Sequence, residues 1–393
     1  MTLIFDAKRA AIRLRDAARH LLGRIRYDFR SSGEVFAVSS LRRAVIYRAD
    51  GKIGDAICFL PFFRELLKRF SPGCEILILS NPGTAEIYRS APFIDRVIIL
   101  PQKPRDRETD ETARQIGKCD LYVHLFEQLK SRHLRLIRRL HPKWAATLDH
   151  SLRCDSLGLS RFTIPQEGGL WGSGDRSADG DDSSRECLHI IDLLFRILEL
   201  GGIPAGDIDR SYFHLFACRI PASGPEFSFL RSPKPDTQTI IFNPYGASSS
   251  RRLSERCMIR ILEMLLRETN VHIVLWADPG DQEHSRRLLA EHFSAADRIA
   301  VTGPLSSVTD VIVAMASCDA MIGVDTGSAH VAACYNIPEL TFYQQNRANF
   351  TRWHARSPRA INVILPTANF AEADPAAVTD AVQNFLAQLQ AGE

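Results

Sequence analysis

Two α/β domains in tandem, each a parallel sheet clothed in helices, are what this 393-residue sequence predicts. Three observations predict them. Short apolar runs alternate with helical-period segments through both halves of the chain, the pattern of βαβ units. Polar, glycine-containing stretches follow the C-terminal ends of those runs, where α/β sheets hold ligands. The length exceeds what one ordinary core supports, and a Pro-rich stretch divides the two series. The expected division is a basic amphipathic extension over 1–40, a Rossmann-like domain over 41–220, a linker over 221–236 and a second Rossmann-like domain over 237–393.

Composition narrows the function classes. Apolar content of 45% and charged content of 24% describe an ordinary soluble globular protein. A net charge of +3 is close to neutral at this size and argues against general nucleic-acid binding. The nine cysteines are odd in number and widely spaced, with no CxxC, which disfavours a disulfide framework or a zinc site. Reduced thiols in the cytoplasm are the expectation. Lys8, Arg9, Arg13, Arg15 and Asp16 interrupt the N-terminal apolar residues before a signal-peptide core forms. No uncharged apolar stretch is long enough to cross a bilayer.

In residues 1–30, Ile4, Ala7, Ala11, Leu14, Ala18, Leu21, Leu22 and Ile25 recur at helical spacing among eight Lys/Arg and three Asp. Such a helix either lies on an anionic membrane surface or docks its stripe on the protein's own core. Ala44–Tyr47 is a buried strand that runs into Arg48–Asp55, and a helix continues from Ala56 to Lys68. Gly51 and Gly54 flank Lys52 and permit positive φ or close approach of a ligand. Asp55 stands at the helix start, where unpaired N–H groups and the dipole favour its ionised form. It is either a simple N-cap or a chemically active carboxylate.

Strands follow at Glu75–Leu79, Val97–Leu100 and Asp120–Leu125, with a short helix over Gly83–Arg89. Leu129–Trp144 is strongly basic: a solvated helix face, or a face that concentrates a phosphate-bearing substrate. Residues 166–185, rich in Gly, Ser and Asp, read as a flexible loop. A helix from Cys187 to Leu200 stops at Gly201-Gly202-Ile203-Pro204.

The second series has strands at Thr239–Phe242, Val271–Trp276, Arg298–Thr302 and Ala320–Val324, with a helix over Val308–Ala316. Two of its loops suit an anion. Gly246–Arg252 offers the hydroxyls of Ser248, Ser249 and Ser250, amides beside a glycine, and the guanidiniums of Arg251 and Arg252, a set matched to a pyrophosphate. Asp325-Thr326-Gly327-Ser328 joins the last strand to a helix beginning at Ala329, whose first N–H groups point at an anion. Two anion-friendly loops on one sheet suggest a nucleotide diphosphate, and the absence of GxxxxGK[ST] speaks against a P-loop NTPase. Asp281 or Glu283, after the Val271–Trp276 strand, is placed to accept from a ribose, although a helix N-cap explains either.

These pieces resemble a known family. Asp50-Gly51-Lys52-Ile53-Gly54-Asp55 with Pro61, Leu66-Leu67-Lys68 and Pro72 is similar to the N-terminal signature of glycosyltransferase family 9, the lipopolysaccharide heptosyltransferases. Asn243-Pro244-Tyr245-Gly246-Ala247 with Arg251, and Val324–His330 with Ala332, Ala333 and Pro338, resemble the family's donor-domain signature. The likeness runs in order from about Ala44 to Leu365.

It implies a GT-B fold, two Rossmann-like domains facing across a cleft, with the acceptor bound by the first and an ADP-heptose-like donor by the second. The implied reaction is an inverting, metal-independent transfer to a lipopolysaccharide-core or related glycan acceptor, without a resident cofactor. Asp55 is implied as general base and Arg251, where the family usually has lysine, as the charge facing the leaving diphosphate. Thr326, Gly327 and Ser328 are implied to hold the donor phosphates and Asp325 the sugar. Glu283 would reach the ribose, with Asp281 as the competing assignment. Gly246, Ser248, Ser250 and Arg252 complete the donor side, and Lys52 and Gly54 lie on the acceptor side. His330 either contacts phosphate or packs structurally. The chain departs from the family at Phe342-Tyr343-Gln344-Gln345-Asn346, where a glycine is usual. Another donor, such as a UDP-linked sugar, or a non-catalytic glycan- or nucleotide-binding role are the competing functions. The expected location is the cytoplasm, with the inner face of the cytoplasmic membrane as a peripheral site.

Overall fold

The computed structural model describes residues 2–30, 34–49, 51–69, 73–101, 103–125, 129–149, 151–154, 157, 188–211, 222, 224–232, 234, 236–268 and 271–391. Asp50, Phe70–Pro72 and the 166–185 loop lie outside them. The described residues fall into two compact units. One holds those up to Gly51, from Phe59 to Leu157 and from Leu188 to Arg210; the other holds Lys52–Cys58 and those from Ser211 onward.

The first unit is a five-stranded parallel sheet of β1 (Arg43–Arg48), β2 (Glu75–Ser80), β3 (Arg96–Ile99), β4 (Leu121–His124) and β5 (Trp144–Thr147). Its order is β3-β2-β1-β4-β5. Its helices are α1 (Thr2–Tyr27), most of α2 (Ile53–Arg69), α3 (Ala85–Arg89), α4 (Asp106–Ile116), α5 (Ser131–Leu140) and α6 (Ile190–Leu200). Val45, Tyr47, Leu77, Leu79 and Tyr122, one face of the pleat, share a core with Ala113, Ile116, Leu134, Ile137 and Leu140 of α4 and α5. The basic stretch Leu129–Trp144 is not one helix. His141 adopts the left-handed conformation (φ 48°) as the C-cap of α5, and the chain then turns into β5.

The second unit is a six-stranded parallel sheet of β6 (Gln238–Asn243), β7 (Val271–Leu275), β8 (Ile299–Val301), β9 (Ala320–Val324), β10 (Glu339–Tyr343) and β11 (Ala360–Ile364), in the order β11-β10-β9-β6-β7-β8. That is the doubly wound order, reversing between β6 and β9. Strands β7, β9 and β10 are buried along their whole length, as a parallel sheet covered on both faces requires. The helices are α7 (Glu255–Arg267), α8 (Gln282–His292), α9 (Val308–Ala316), α10 (Gly327–Cys334), α11 (Arg347–Trp353) and α12 (Pro375–Ala391). Ile240, Phe242, Ile273, Leu275, Ile322 and Phe342 face α7 and α12. In the stretch read as a linker, Pro225–Leu230 forms a 3-10 helix that buries Phe227 and Phe229, and Phe229 O lies 2.9 Å from His272 Nε2.

The seven cysteines among the described residues are buried thiols. No helix among those residues is long and apolar enough to cross a membrane.

At the C-terminal end of β4, His124 stacks on Tyr47 at 4.1 Å between ring centroids, and His133 of α5 sits 4.4 Å from His124. Burial first, and neighbouring positive groups second, hold both imidazoles below their ordinary range, His133 at about 3. Above pH 6.5 both folded and unfolded chains keep these rings neutral, and the full stability is present. As pH falls from there towards 3 the unfolded chain takes up protons that the fold refuses, so stability drops by roughly 1.4 kcal/mol per pH unit per histidine. Urea midpoints measured between neutral and mildly acidic pH should fall accordingly, and His133→Gln should flatten the slope. A pH-independent midpoint would contradict this account.

Candidate functional site

The strands β6 and β9 pair side by side with Asn243 opposite Gly323, so the chain leaves both at the reversal point of the sheet. Asn243 is buried there. Its Nδ2 donates to Ser328 Oγ at 3.1 Å and to Thr326 Oγ1 at 3.4 Å, and its Oδ1 accepts from the Tyr245 backbone N at 3.2 Å. One amide thus ties the two anion-friendly loops together. The Thr326 and Ser328 hydroxyls are 2.6 Å apart. Thr326 is the N-cap of α10, yet its side chain does not cap the helix. The first N–H groups of α10 have no intrahelical acceptor and carry the positive end of the dipole.

The Gly246–Arg252 loop is closed on itself. Tyr245 bridges Arg252, and Gly246 N donates to Arg251 O at 3.0 Å. A Cβ on Gly246 would stand 2.4 Å from Arg251 Cβ and 2.5 Å from Arg251 O, so this approach needs glycine. The closure sends the two arginines to different partners. Arg251 Nη1 is 3.2 Å from Asp325 Oδ2, and Asn349 Nδ2 donates to the same oxygen at 3.2 Å. Arg252 grips Asp281 through two bonds, 2.5 and 2.9 Å, while its guanidinium lies 5.4 Å from the Tyr245 ring centre. Hydrogen bonding to Asp281 pushes Arg252 further up, so it stays charged. Ser248 and Ser250 are bonded to each other at 3.1 Å, and Gln344 Nε2 donates to Ser250 O at 2.9 Å.

Of the two candidates for a ribose, Asp281 is held by Arg252, whereas Glu283 is exposed in the first turn of α8. Lys52–Cys58 belongs to this unit. Gly54 is helical, and its missing side chain serves packing: a Cβ would lie 2.5 Å from His330 Cδ2 and 3.2 Å from Gly327 Cα. Cys58 Sγ is 3.5 Å from His330 Nδ1. His330 is buried, and burial depresses its pKa against the opposing pull of Asp325 and Asp55, which keeps the ring neutral near pH 7. The Asp55 carboxylate is mostly covered and sits 4.0 Å from Lys52 Nζ, in the first turn of α2.

Residues 239–378 match the family model of glycosyltransferase family 9 (heptosyltransferase). A relative from Escherichia coli K12, "Putative lipopolysaccharide heptosyltransferase 4", is 21% identical over 394 residues, which covers 93% of this chain and 96% of its own. Among solved structures, the family 9 glycosyl transferase of Veillonella parvula superposes with a TM-score of 0.66 at 18% identity, covering 90% of this chain and 99% of its own. The E. coli heptosyltransferase WaaC with ADP gives 0.58 at 16%, covering 87% and 99%. Residues 239–378 of the chain are thus similar to glycosyltransferase family 9, and the chain shares the fold of solved members of that family.

The fold is accordingly GT-B. The family match lies over the unit that gathers Gly246, Arg251, Asp325, Thr326, Ser328 and His330. The basic run of the first unit is mostly committed elsewhere: Arg135 binds Asp106 and Asp110, Arg139 binds Asp110, Arg138 covers Phe29, and Lys143 reaches Glu34 and Asp120. Asn243, Asn349 and Gln344 were not foreseen as site residues. Asn243 could have been singled out, because it is the last residue of a strand at the reversal point; Asn349 and Gln344 arrive from β10–α11, and no local pattern marks them.

Gly246→Ala should force Arg251 aside, costing about 1–3 kcal/mol of stability and weakening nucleotide diphosphate binding in calorimetry. Gly280→Ala is the control, since no atom lies within 4 Å of its Cβ position. Equal behaviour of the two variants would refute the close-approach account.

Proposed function

We propose that this chain is a glycosyltransferase of the family 9 type that moves a heptose-like sugar, with inversion and without a metal, from a nucleotide diphosphate donor to a lipopolysaccharide-core or related glycan acceptor, working at the cytoplasmic face of a membrane. The observation that carries the reading is the Asn243 amide joining the Thr326/Ser328 hydroxyls to the Tyr245–Arg252 loop at the sheet's reversal point. Hydroxyls, helix N–H groups and one guanidinium then converge on one small region, which suits a diphosphate. The solved relative that carries ADP favours an adenosine base.

In the proposed step the Asp55 carboxylate takes the proton of the acceptor hydroxyl. That oxygen attacks the anomeric carbon from the face opposite the diphosphate, and the bond from the anomeric carbon to the leaving phosphate oxygen breaks with its electron pair going to that oxygen. Arg251 balances the new negative charge. Before the donor binds, Arg251 is paired with Asp325. We assign the sugar hydroxyls to Asp325 and the diphosphate to Arg251, so donor entry exchanges one ion pair for two substrate contacts. Glu283 is left for the ribose, because Asp281 is engaged by Arg252. We assign Lys52, exposed beside Asp55, and Gly54 to the acceptor side.

Asp55→Asn should lower kcat roughly 10²–10⁴-fold while calorimetric donor affinity stays near wild type. Near-normal turnover would remove Asp55 from the role of base. Arg251→Met should cost about 10²–10³-fold in kcat. A panel of nucleotide sugars, read by diphosphate release, identifies the donor: turnover with UDP-linked sugars alone would replace the adenosine assignment, and binding without turnover on any acceptor would favour a purely binding role.

A further inference from the structure

We infer that the outward face of α1 is a docking surface for a bilayer of anionic phospholipid. The inference deepens the membrane-face part of the functional reading above and is tested separately from sugar transfer. Helix α1 is fixed to the first unit by one side only. Gly23 packs so closely on α5 that a Cβ would lie 3.0 Å from Leu134 Cδ1 and 3.1 Å from Ser131 Cα. One turn earlier, the His20 ring nitrogens lie 2.7 Å from Leu129 O and 2.9 Å from Ser151 Oγ, and Nε2 is 3.3 Å from Asp149. Just beyond the helix, Asp28 accepts from the backbone of Arg153 and Cys154. These contacts hold the helix in one rotational setting.

The setting turns the apolar stripe outward. Leu14, Ala18, Leu21 and Ile25 follow one another at helical spacing on the side opposite His20, Gly23 and Tyr27, with Leu22 beside them. Leu14 is 74% exposed, Leu21 54%, Leu22 66% and Ile25 75%. With Ile12, five of the ten exposed large hydrophobic residues among the described ones lie on this helix, so the exposure is concentrated rather than scattered. Over Leu14–Ile25 the alternative in which the stripe docks on the protein's own core is therefore overturned: the side bearing His20 and Gly23 docks and the stripe does not.

Charge selects the occupant. Arg15, Arg19 and Arg26 are exposed and follow one edge of the stripe. Asp16 is ion-paired with Arg15 at 2.9 Å, and Asp28 is turned inward to the backbone. An apolar stripe edged with arginines complements lipid tails beneath a layer of phosphate headgroups. A second copy of the same helix would instead bring arginines against arginines.

The test uses the full-length protein with phosphatidylcholine vesicles, with and without phosphatidylglycerol. Wild type should sediment with the anionic vesicles and release as salt is raised. Leu21→Ser/Leu22→Ser/Ile25→Ser and Arg15→Gln/Arg19→Gln/Arg26→Gln should each weaken that binding at least roughly tenfold, with unchanged thermal unfolding because these side chains are exposed. Binding of either variant like wild type, or no preference of wild type for anionic vesicles, would overturn the proposal. So would a dimer, seen by light scattering, that the serine variant dissociates. Turnover on a water-soluble, lipid-free glycan acceptor is the separate arm. If it is absent while vesicle binding behaves as expected, the catalytic reading fails and the lipid surface stands.

Discussion

The amide of Asn243 is the constraint on which the geometry at the reversal point of the second sheet depends. It ends β6, the strand at the middle of the sheet, and its side chain reaches across the reversal point to the two hydroxyls that begin α10. The same side chain accepts from the Tyr245 backbone and so starts the turn into the Gly246–Arg252 loop. A buried amide is costly unless its donors and acceptors are satisfied. Here that requirement fixes two loops that are more than seventy residues apart in sequence. Both strands are buried, so the anchor stands on the least deformable part of the unit.

Around that anchor, charge is paired rather than left open. Arg252 and Asp281 hold each other through two bonds, a geometry in which the fork of a guanidinium matches a carboxylate. That pair braces the loop against α8. Arg251, one residue earlier in the closed loop, meets Asp325 through one contact and is one-third exposed. A single-contact, partly solvated pair is much easier to exchange for a substrate than a bidentate one. The two neighbouring arginines, alike in sequence, are thus divided between a single-contact and a bidentate carboxylate where the Gly246–Arg252 loop closes on itself.

The first unit shows the same economy with its basic residues. Most of the cations on α5 are used to hold α4 and the segment after α1, and Lys143 beyond the helix reaches Asp120 at the start of β4. The cations left exposed on α1 edge a hydrophobic stripe that the first unit does not cover. Near-neutral net charge conceals this unequal distribution.

Much of the architecture was legible in the sequence, because periodicity and turn chemistry are local. Alternating apolar runs and helical segments disclosed two parallel sheets, and glycine-bearing loops after strand ends located the residues that meet at the reversal point of the second sheet. Asp325, Thr326 and Ser328 were found this way, since strand, turn and helix are contiguous there. The pairing of Arg251 with Asp325 and of Arg252 with Asp281 was not legible, because it depends on loops from β6, β7 and β9 meeting at one edge. Strand β5 was not read from the sequence, because the left-handed turn at His141 that separates it from α5 carries no glycine to announce it. Periodicity showed that α1 has an apolar stripe; only the packing of Gly23 and His20 decided that the stripe faces outward. Sequence by itself determined most of the strands and helices and which loops carry the polar, glycine-containing pattern, since those follow from neighbours along the chain. Which carboxylate each arginine holds, and which side of a helix is covered, follow from neighbours in space, and the tertiary structure alone decided them.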